Sequence, residues 1–285
     1  MSTGVMSTGV MLVVLFAAIL HASWNALVKA SPDKILDIVF VTGSAGVICA
    51  IAVPFLPLPN AASWPYIVAS ALVHIVYFLL IGAAYRGGDM SHAYPLMRGA
   101  PPLLVAIASL PLIGERLTAG EWFGVVLICG GILGLLLVNH GSGRNPARTT
   151  RLALINAVMI AIYTLIDGTG ARLSGHSASY TMWMFALAAP PVLIWALARH
   201  RVAAQAHFRE RWYLMSIGGA CTVAAYALVL WAMTRAPIAM VAALRESAIL
   251  FGTAISVFVL KERHGYSRPV AALVILLGVI TLKLT

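Results

Sequence analysis

The sequence predicts an all-α integral membrane protein in which ten transmembrane helices form two inverted five-helix repeats. Of its 285 residues, 61% are hydrophobic and only 10% are charged, whereas a soluble domain carries about 25% charged residues. The apolar residues come in runs of about 20, the length that an α-helix needs to cross a bilayer. The strands of a membrane barrel would instead alternate in polarity. In addition, a long stretch of the first half recurs without a gap in the second half.

Short loops marked by Pro, Gly, Asn or charge separate the apolar spans. Only His140–Thr150 and Arg199–Arg211 are longer loops, and the second is basic, polar and expected at the membrane surface. The first divides the chain near its midpoint, which predicts one repeat over residues 1–139, a linker over 140–150 and a second repeat over 151–285. The predicted spans cover about 10–29, 36–56, 65–85, 90–112, 119–138, 151–172, 179–198, 212–234, 237–260 and 267–284.

The internal repeat is clearest where Ser91–Arg116 matches Ile238–Arg263 at a shift of 147 positions. Arg98 then falls on Arg245. Five spans per repeat is an odd number, so the second repeat must be upside down relative to the first. Inverted repeats are typical of transporters, whose substrate site lies between the repeats near the middle of the bilayer. Both copies end in a Glu-Arg pair, which is expected to anchor the span at the interface and to form salt bridges that differ between open states.

The net charge of +10 is spread over the loops. It indicates orientation in the bilayer and contact with anionic lipid rather than nucleic-acid binding. The loops after the odd-numbered spans carry 13 Lys and Arg, and the other loops and the C-terminus together carry four, so the positive-inside rule predicts that both termini lie outside the cytoplasm.

No sequence pattern of an enzyme is present. The chain has no phosphate-binding glycine loop, no His/Glu metal motif and no GxSxG elbow, and its three cysteines have no metal-type spacing. We therefore expect a non-enzyme without cofactor or metal, whose partners are a small-molecule substrate and lipid, as a monomer or homodimer.

Polar and aromatic side chains inside the spans are the candidate binding residues, since an ionisable group within a span normally faces a cavity. His74, Tyr77 and Phe78 share one face of the third span, and Tyr94 and Arg98 share one face of the fourth. When the first span is aligned with the sixth at a shift of 142 positions, Asn25 matches Asp167. The predicted substrate-binding residues are His74, Tyr77, Phe78, Tyr94, Arg98, Trp24, Asn25, Tyr163, Asp167, Tyr226, Arg245 and Glu246.

Structural roles are open for several of these residues. His74 could form a hydrogen bond between helices, and Arg98 could extend to the interface. Asp167 and Glu246 could bind a proton or a substrate ammonium group, or each could pair with an intramembrane arginine.

Three segments resemble the EamA-type repeats of the drug/metabolite transporter superfamily: HASWNALVK (His21–Lys29), the stretch Gly114–Gly134, and KERHGYSRPVAALVILLGVI (Lys261–Ile280). The resemblance implies that spans 1–4 and 6–9 surround a central cavity, that spans 5 and 10 are peripheral, and that transport uses alternating access. It also implies cytoplasmic termini, in conflict with the loop charges.

The resemblance is greatest to aromatic amino-acid exporters of bacterial inner membranes, although related members move drugs, nucleotide sugars and other metabolites. An aromatic cavity with arginines suits an apolar or aromatic zwitterion. We therefore expect an amino-acid exporter of the bacterial inner membrane. The alternatives are a multidrug or metabolite exporter, a passive facilitator, and a membrane scaffold or lipid-flipping component.

Overall fold

A computed structural model describes residues 6–31, 33–85, 90–137, 146–258 and 267–285. Within these ranges, the side chains of residues 34, 78–79, 82–85, 90–91, 200–201, 203 and 267–268 fall outside the description. The described residues form helices and turns, and no strand occurs among them. The helices are α1 Thr8–Lys29, α2 Lys34–Ala52, α3 Trp64–Tyr85, α4 Met90–Ile113, α5 Ala119–Leu133, α6 Pro146–Leu173, α7 Ser177–Met233, α8 Ile238–Arg245, α9 Ala248–Phe258 and α10 Ser267–Leu284, with single 3₁₀ turns at Val53–Phe55, Ala61–Ser63 and Gly134–Leu137.

In the described part of the chain, eight segments are long and apolar enough to cross a membrane. The predicted third and tenth spans appear there as the shorter apolar segments Ala61–Tyr77 and Pro269–Leu284. Large apolar side chains cover the outer surface, such as Leu12, Ile107 and Ile194, each at least 60% exposed. A surface of this kind suits lipid rather than water, so the protein is a multi-pass membrane protein.

Local sequence determines where several helices begin. The Asp33 carboxylate accepts hydrogen bonds from the backbone N–H groups of Ile35 and Leu36, at 3.1 and 3.0 Å, ahead of α2. Thr118 and Glu121 form a capping box ahead of α5. Both arrangements satisfy N–H groups that have no partner within the helix.

Helices α5 and α10 pack closely through glycines. A Cβ atom at Gly278 would lie 2.9 Å from the Gly124 carbonyl oxygen, and one at Gly131 would lie 3.1 Å from the Ala271 carbonyl oxygen. Gly130 and Gly134 have no neighbour within 4 Å of such a position. Only part of the glycine-rich face of the fifth span therefore serves this contact.

Helix α7 differs from the sequence prediction, because the expected loop Arg199–Arg211 is helical. This segment lacks Gly and Pro and is rich in Ala and Arg, which favour helix. On a straight helix, Ala189 and Gly219 would be about 45 Å apart. However, Ala189 packs on Gly46 and Gly219 packs on Ala45. Helix α7 therefore doubles back, and its two limbs lie on the same helix, α2.

The predicted ninth span is broken in its middle. Helix α8 ends at Arg245 and α9 begins at Ala248. Across the break, the N–H groups of Glu246 and Ser247 donate to the carbonyls of Ala243 and Leu244, both at 3.0 Å. These i→i−3 bonds form a tighter turn than an α-helix, a feature that often marks a functional hinge. The break lies beside the charged residues of the central cavity.

Candidate functional site

A cavity of about 90 Å³ lies at the centre of the bundle, where α1, α2, α3, α4, α6, α7 and α8 converge. This volume has room for several water molecules. The aromatic and charged side chains that line it are His21, Trp24, His74, Tyr77, Arg98, Tyr163, Phe185, Tyr226 and Arg245. Aliphatic side chains and the hydroxyl groups of Thr42 and Thr222 complete the wall.

An aromatic cluster forms one side of the cavity, with His74 at its centre. The His74 ring centroid lies 4.3 Å from that of Tyr163, 6.0 Å from that of Tyr226 and 6.2 Å from that of Tyr77. The ring centroid of Phe185 lies 5.7 Å from that of Tyr226. Such rings offer a flat apolar surface with polar edges, which suits an aromatic or apolar solute.

The imidazole of His74 is held within its own helix. Its Nδ1 atom lies 2.9 Å from the carbonyl oxygen of Ser70, to which Nδ1–H can donate. This bond fixes the ring orientation and leaves Nε2 as an acceptor. Among the described residues, His74 thus bonds within α3 and not to another helix, which was the alternative left open by the sequence.

A charged cluster forms the other side of the cavity. Arg98 Nε lies 2.9 Å from Glu246 Oε2, and Arg245 NH2 lies 3.4 Å from Glu246 Oε1. The two arginines at matching repeat positions thus share one carboxylate, and the three groups carry a net charge of +1. Both arginines are less than 10% exposed. Arg98 therefore does not extend to the interface.

The two arginines are not equivalent. Arg98 is the closer to the carboxylate, and its NH2 group also lies 3.2 Å from His21 Nε2. Among the described residues, neither arginine makes a well-aligned hydrogen bond through its Nε atom, but Arg98 Nε lies 2.9 Å from Glu246, whereas the Arg245–Glu246 ion pair is 3.4 Å long. Arg245 is therefore the better placed of the two to bind a negative group in the cavity.

His21 lies between two donors. Its Nε2 atom is 3.2 Å from Arg98 NH2, and its Nδ1 atom is 3.3 Å from Trp24 Nε1. Arginine and tryptophan side chains only donate, and a neutral imidazole has one accepting nitrogen. Only one of the two bonds can therefore form at a time. His21 was not among the predicted binding residues, although its spacing from Asn25 places both on one helix face.

Asp167 is fully buried behind the aromatic cluster. One of its oxygens accepts a hydrogen bond of 2.8 Å from the Tyr180 hydroxyl, and the other accepts from the Tyr226 hydroxyl. The expected pairing of a buried carboxylate with arginine thus applies to Glu246, whereas Asp167 is bound by two tyrosines. Its repeat counterpart Asn25 donates to the His21 carbonyl oxygen at 2.7 Å.

Of the predicted binding residues, seven line the cavity: Trp24, His74, Tyr77, Arg98, Tyr163, Tyr226 and Arg245. Asp167 and Glu246 lie behind this wall, Asn25 and Tyr94 do not line it, and the Phe78 side chain falls outside the described residues. Phe185 and the lining residues of α2 were missed, because an apolar or hydroxyl side chain in a span gives no signal of a binding role. In the described part of the chain, no group of three or more His, Cys, Asp or Glu could hold a metal ion.

Apolar helices around a buried, partly charged cavity are typical of membrane transport proteins. The sequence model of the EamA-like transporter family matches residues 8–137 and again residues 150–284. The chain therefore belongs to the EamA-like transporter family, within the drug/metabolite transporter superfamily. This membership indicates a small-molecule transporter rather than an enzyme.

Two further similarities add detail. Over 66 residues the chain is 39% identical to a probable 4-amino-4-deoxy-L-arabinose-phosphoundecaprenol flippase subunit, ArnF, of Sodalis glossinidius (strain morsitans). The match spans 23% of this chain and 51%, or about half, of that curated relative. A solved crystal structure of another protein shares the fold, with a TM-score of 0.72 and 18% identity over 97% of this chain and 96% of that one.

Proposed function

We propose that the protein is a secondary transporter that exports amino acids, chiefly aromatic and other apolar ones, across the bacterial inner membrane. The observation that carries this proposal is the position of Arg245 on the wall of the cavity that a cluster of aromatic rings also lines, with an Nε atom that has no hydrogen-bond partner among the described residues. A guanidinium group can bind a carboxylate through two parallel hydrogen bonds. The rings would bind the apolar side chain of the same solute. The resemblance of the sequence to aromatic amino-acid exporters agrees with this assignment.

The substrate ammonium group would lie near Tyr226. Its hydroxyl donates to Asp167, which leaves the oxygen lone pairs free to accept a hydrogen bond. The neighbouring rings of Tyr163 and Tyr77 can also attract a cation through their faces. Asp167 would act through Tyr226 rather than by direct contact, because it does not line the cavity.

Ten membrane spans in two inverted repeats, over residues 1–139 and 151–285 and joined by the linker 140–150, are part of the proposal. The helix contacts support it, because they recur when the repeats are exchanged. The contact of α4 with α6 has its counterpart in the contact of α9 with α1, because these helices belong to spans 4 and 6 and to spans 9 and 1. In the same way, the contact of α3 with α6 corresponds to the contact of α7, which includes span 8, with α1. The break between α8 and α9 supports a site at the repeat interface, since transporters often bind substrate at discontinuous helices.

Alternating access is supported by the ion pairs at the two ends of the bundle. At one end, Glu115 pairs with Arg172 at 2.6 Å and accepts a 2.8 Å hydrogen bond from the Ile238 N–H group. At the other end, Asp37 lies between His207 at 2.5 Å and Arg211 at 3.0 Å. The repeat counterpart of Glu115 is Glu262, which lies outside the described residues. Opening either end would require its ion pairs to separate.

Transport in liposomes tests the proposed substrate. Purified protein would be reconstituted, and uptake of labelled phenylalanine, tryptophan and leucine would be measured with and without cationic drugs as competitors. We expect amino-acid flux that drugs do not abolish. Absence of flux for every amino acid would overturn the proposal, and flux of drugs or other metabolites instead would favour the wider exporter function.

A matched pair of variants tests the site. In Arg245→Gln we expect kcat/KM for phenylalanine to fall about 10- to 100-fold, since hydrogen bonds to charged groups contribute roughly 1.5–3 kcal/mol. Phenylethylamine lacks the carboxylate, so its flux should change far less. The control Arg199→Gln removes the same charge from an exposed position and should transport normally. An equal loss for both solutes would contradict the assigned role of Arg245.

A second candidate function is translocation of a lipid-linked sugar. The partial similarity to a flippase subunit favours it. The same liposomes, loaded with a fluorescent polyprenyl-phosphate sugar, would test it through the accessibility of the label to an external quencher. Flipping of this lipid without amino-acid flux would replace the leading proposal.

A further inference from the structure

A second pocket, of about 360 Å³, lies at the end of the bundle where α6 passes into α7. It is separate from the central cavity and shares none of its lining residues. Its walls are formed by the last residues of α6, the first turn of α7, the end of α7 with the two residues that follow it, and Leu56 and Pro57. Polar and apolar side chains thus both line the pocket.

The first turn of α7 presents unused donors to this pocket. His176 is the N-cap residue and makes no side-chain capping bond. The first N–H groups of a helix have no partner within it, and here they belong to Ser177, Ala178 and Ser179, which all line the pocket. The start of a helix also carries a partial positive charge. A negative group would therefore be stabilised at this position.

Ser179 is an independent sign of a ligand. The residue is 1% exposed and lines the pocket. Its buried hydroxyl has no hydrogen-bond partner among the described residues. A buried hydroxyl without a partner is costly, and a ligand oxygen in the pocket would supply the missing bond.

Arginine side chains add positive charge to the same pocket. The Arg235 guanidinium lies over the Trp231 ring, with its central carbon 4.6 Å from the ring centroid. Arg172 is already bound to Glu115 and donates to the carbonyl oxygens of Met233 and Ala236, at 2.7 and 2.9 Å. Arg172 therefore stabilises the wall, whereas Arg235 can bind a ligand. Among the described residues that line the pocket, none carries a carboxylate.

We propose that this pocket binds a phosphate group, either the headgroup phosphate of an anionic lipid or the phosphate of a soluble molecule. The N–H groups of the first turn of α7, the Ser179 hydroxyl and the Arg235 guanidinium would donate to the phosphate oxygens. A tetrahedral oxyanion can accept all of these bonds at once, and a guanidinium can supply two of them. The site is independent of the solute that the central cavity transports.

Binding measurements distinguish the two sources. In detergent, inorganic phosphate would be titrated against the purified protein at constant ionic strength, with thermal unfolding as the readout. In nanodiscs, native mass spectrometry would compare retention of phosphatidylglycerol and phosphatidylcholine. Saturable stabilisation by phosphate supports the site and a soluble source, and selective retention of phosphatidylglycerol supports the site and a lipid source.

Three variants connect binding to the pocket. Arg235→Gln and Ser179→Ala should each weaken the affinity for the bound probe about tenfold, as expected for losing a bond to a charged group. Arg199→Gln removes an exposed arginine that does not line the pocket and should leave the affinity unchanged. The proposal is overturned if neither probe binds, or if Arg235→Gln and Arg199→Gln weaken binding equally.

Discussion

Two buried carboxylates of the site are stabilised in opposite ways. Glu246 is 1% exposed and is bound by two arginines, whereas Asp167 is fully buried and is bound by two tyrosine hydroxyls. Glu246 therefore compensates charge, and its loss would leave two cations together. Asp167 needs only hydrogen-bond donors, and one of its donors, Tyr226, lines the cavity. The first carboxylate holds the site together, and the second orients a residue that can contact substrate.

Two pairs of residues at matching positions of the repeats also differ in whether the two members share a partner. Arg98 and Arg245 occupy matching positions and converge on one carboxylate. Asn25 and Asp167 also occupy matching positions, but they contact different partners. Symmetry in the sequence thus predicts a shared location in the fold and does not by itself predict a shared chemical role.

The largest expected effect is that of Glu246→Gln. This change leaves Arg98 and Arg245 buried without their carboxylate, and breaking a buried ion pair typically costs about 3–5 kcal/mol. We expect a loss of this size in the free energy of unfolding, measured by denaturant titration in detergent micelles. The control Glu210→Gln changes an exposed carboxylate and should be neutral. If Glu246→Gln costs less than about 1 kcal/mol, as surface charges do, then Glu246 does not compensate the arginines.

A double variant measures the charge compensation directly. Glu246→Gln combined with Arg98→Gln restores the net charge of the cluster to +1, because one cation and one anion are both removed. We expect the pair to be more stable than the sum of the single variants by roughly 1–3 kcal/mol, the range found for contacting groups. Strict additivity of the two single effects would contradict the 2.9 Å ion pair as an energetic contact.

Asp167→Asn should have an intermediate effect. The asparagine amide keeps one acceptor oxygen for a tyrosine but replaces the other with a donor. Hydrogen bonds to neutral acceptors are also weaker than those to charged ones, so we expect a loss of about 1–2 kcal/mol in the free energy of unfolding. Substrate affinity in the liposome assay should fall as well, since Tyr226 loses its fixed orientation. A loss as large as that of Glu246→Gln would show that Asp167 also compensates a cation.

Apolar runs were sufficient to predict most of the helices, because a bilayer requires about 20 apolar residues for each crossing. Seven of the predicted binding residues line the cavity, because charged and aromatic groups are rare within spans and therefore conspicuous. The break after Arg245 could not be foreseen, since no Gly or Pro marks it. The doubled-back course of α7 could not be predicted either. It is determined by the contacts of both limbs with α2, whereas the local sequence favours helix throughout. The lining from α2 was missed because Ile38, Val41 and Thr42 occur in any buried span.

The smallest effects should separate the two tyrosines that bind Asp167. Tyr180 is fully buried with its ring against Gly170, whereas Tyr226 lines the cavity. Tyr180→Phe and Tyr226→Phe each remove one hydroxyl that donates to Asp167, and each should cost about 1.5 kcal/mol in the free energy of unfolding, the low end of the range for bonds to a charged group. Only Tyr226→Phe should also raise the KM for phenylalanine in liposomes, because only that hydroxyl can meet the substrate. Equal changes in KM for the two variants would mean that Asp167 acts on the cavity through its charge rather than through Tyr226.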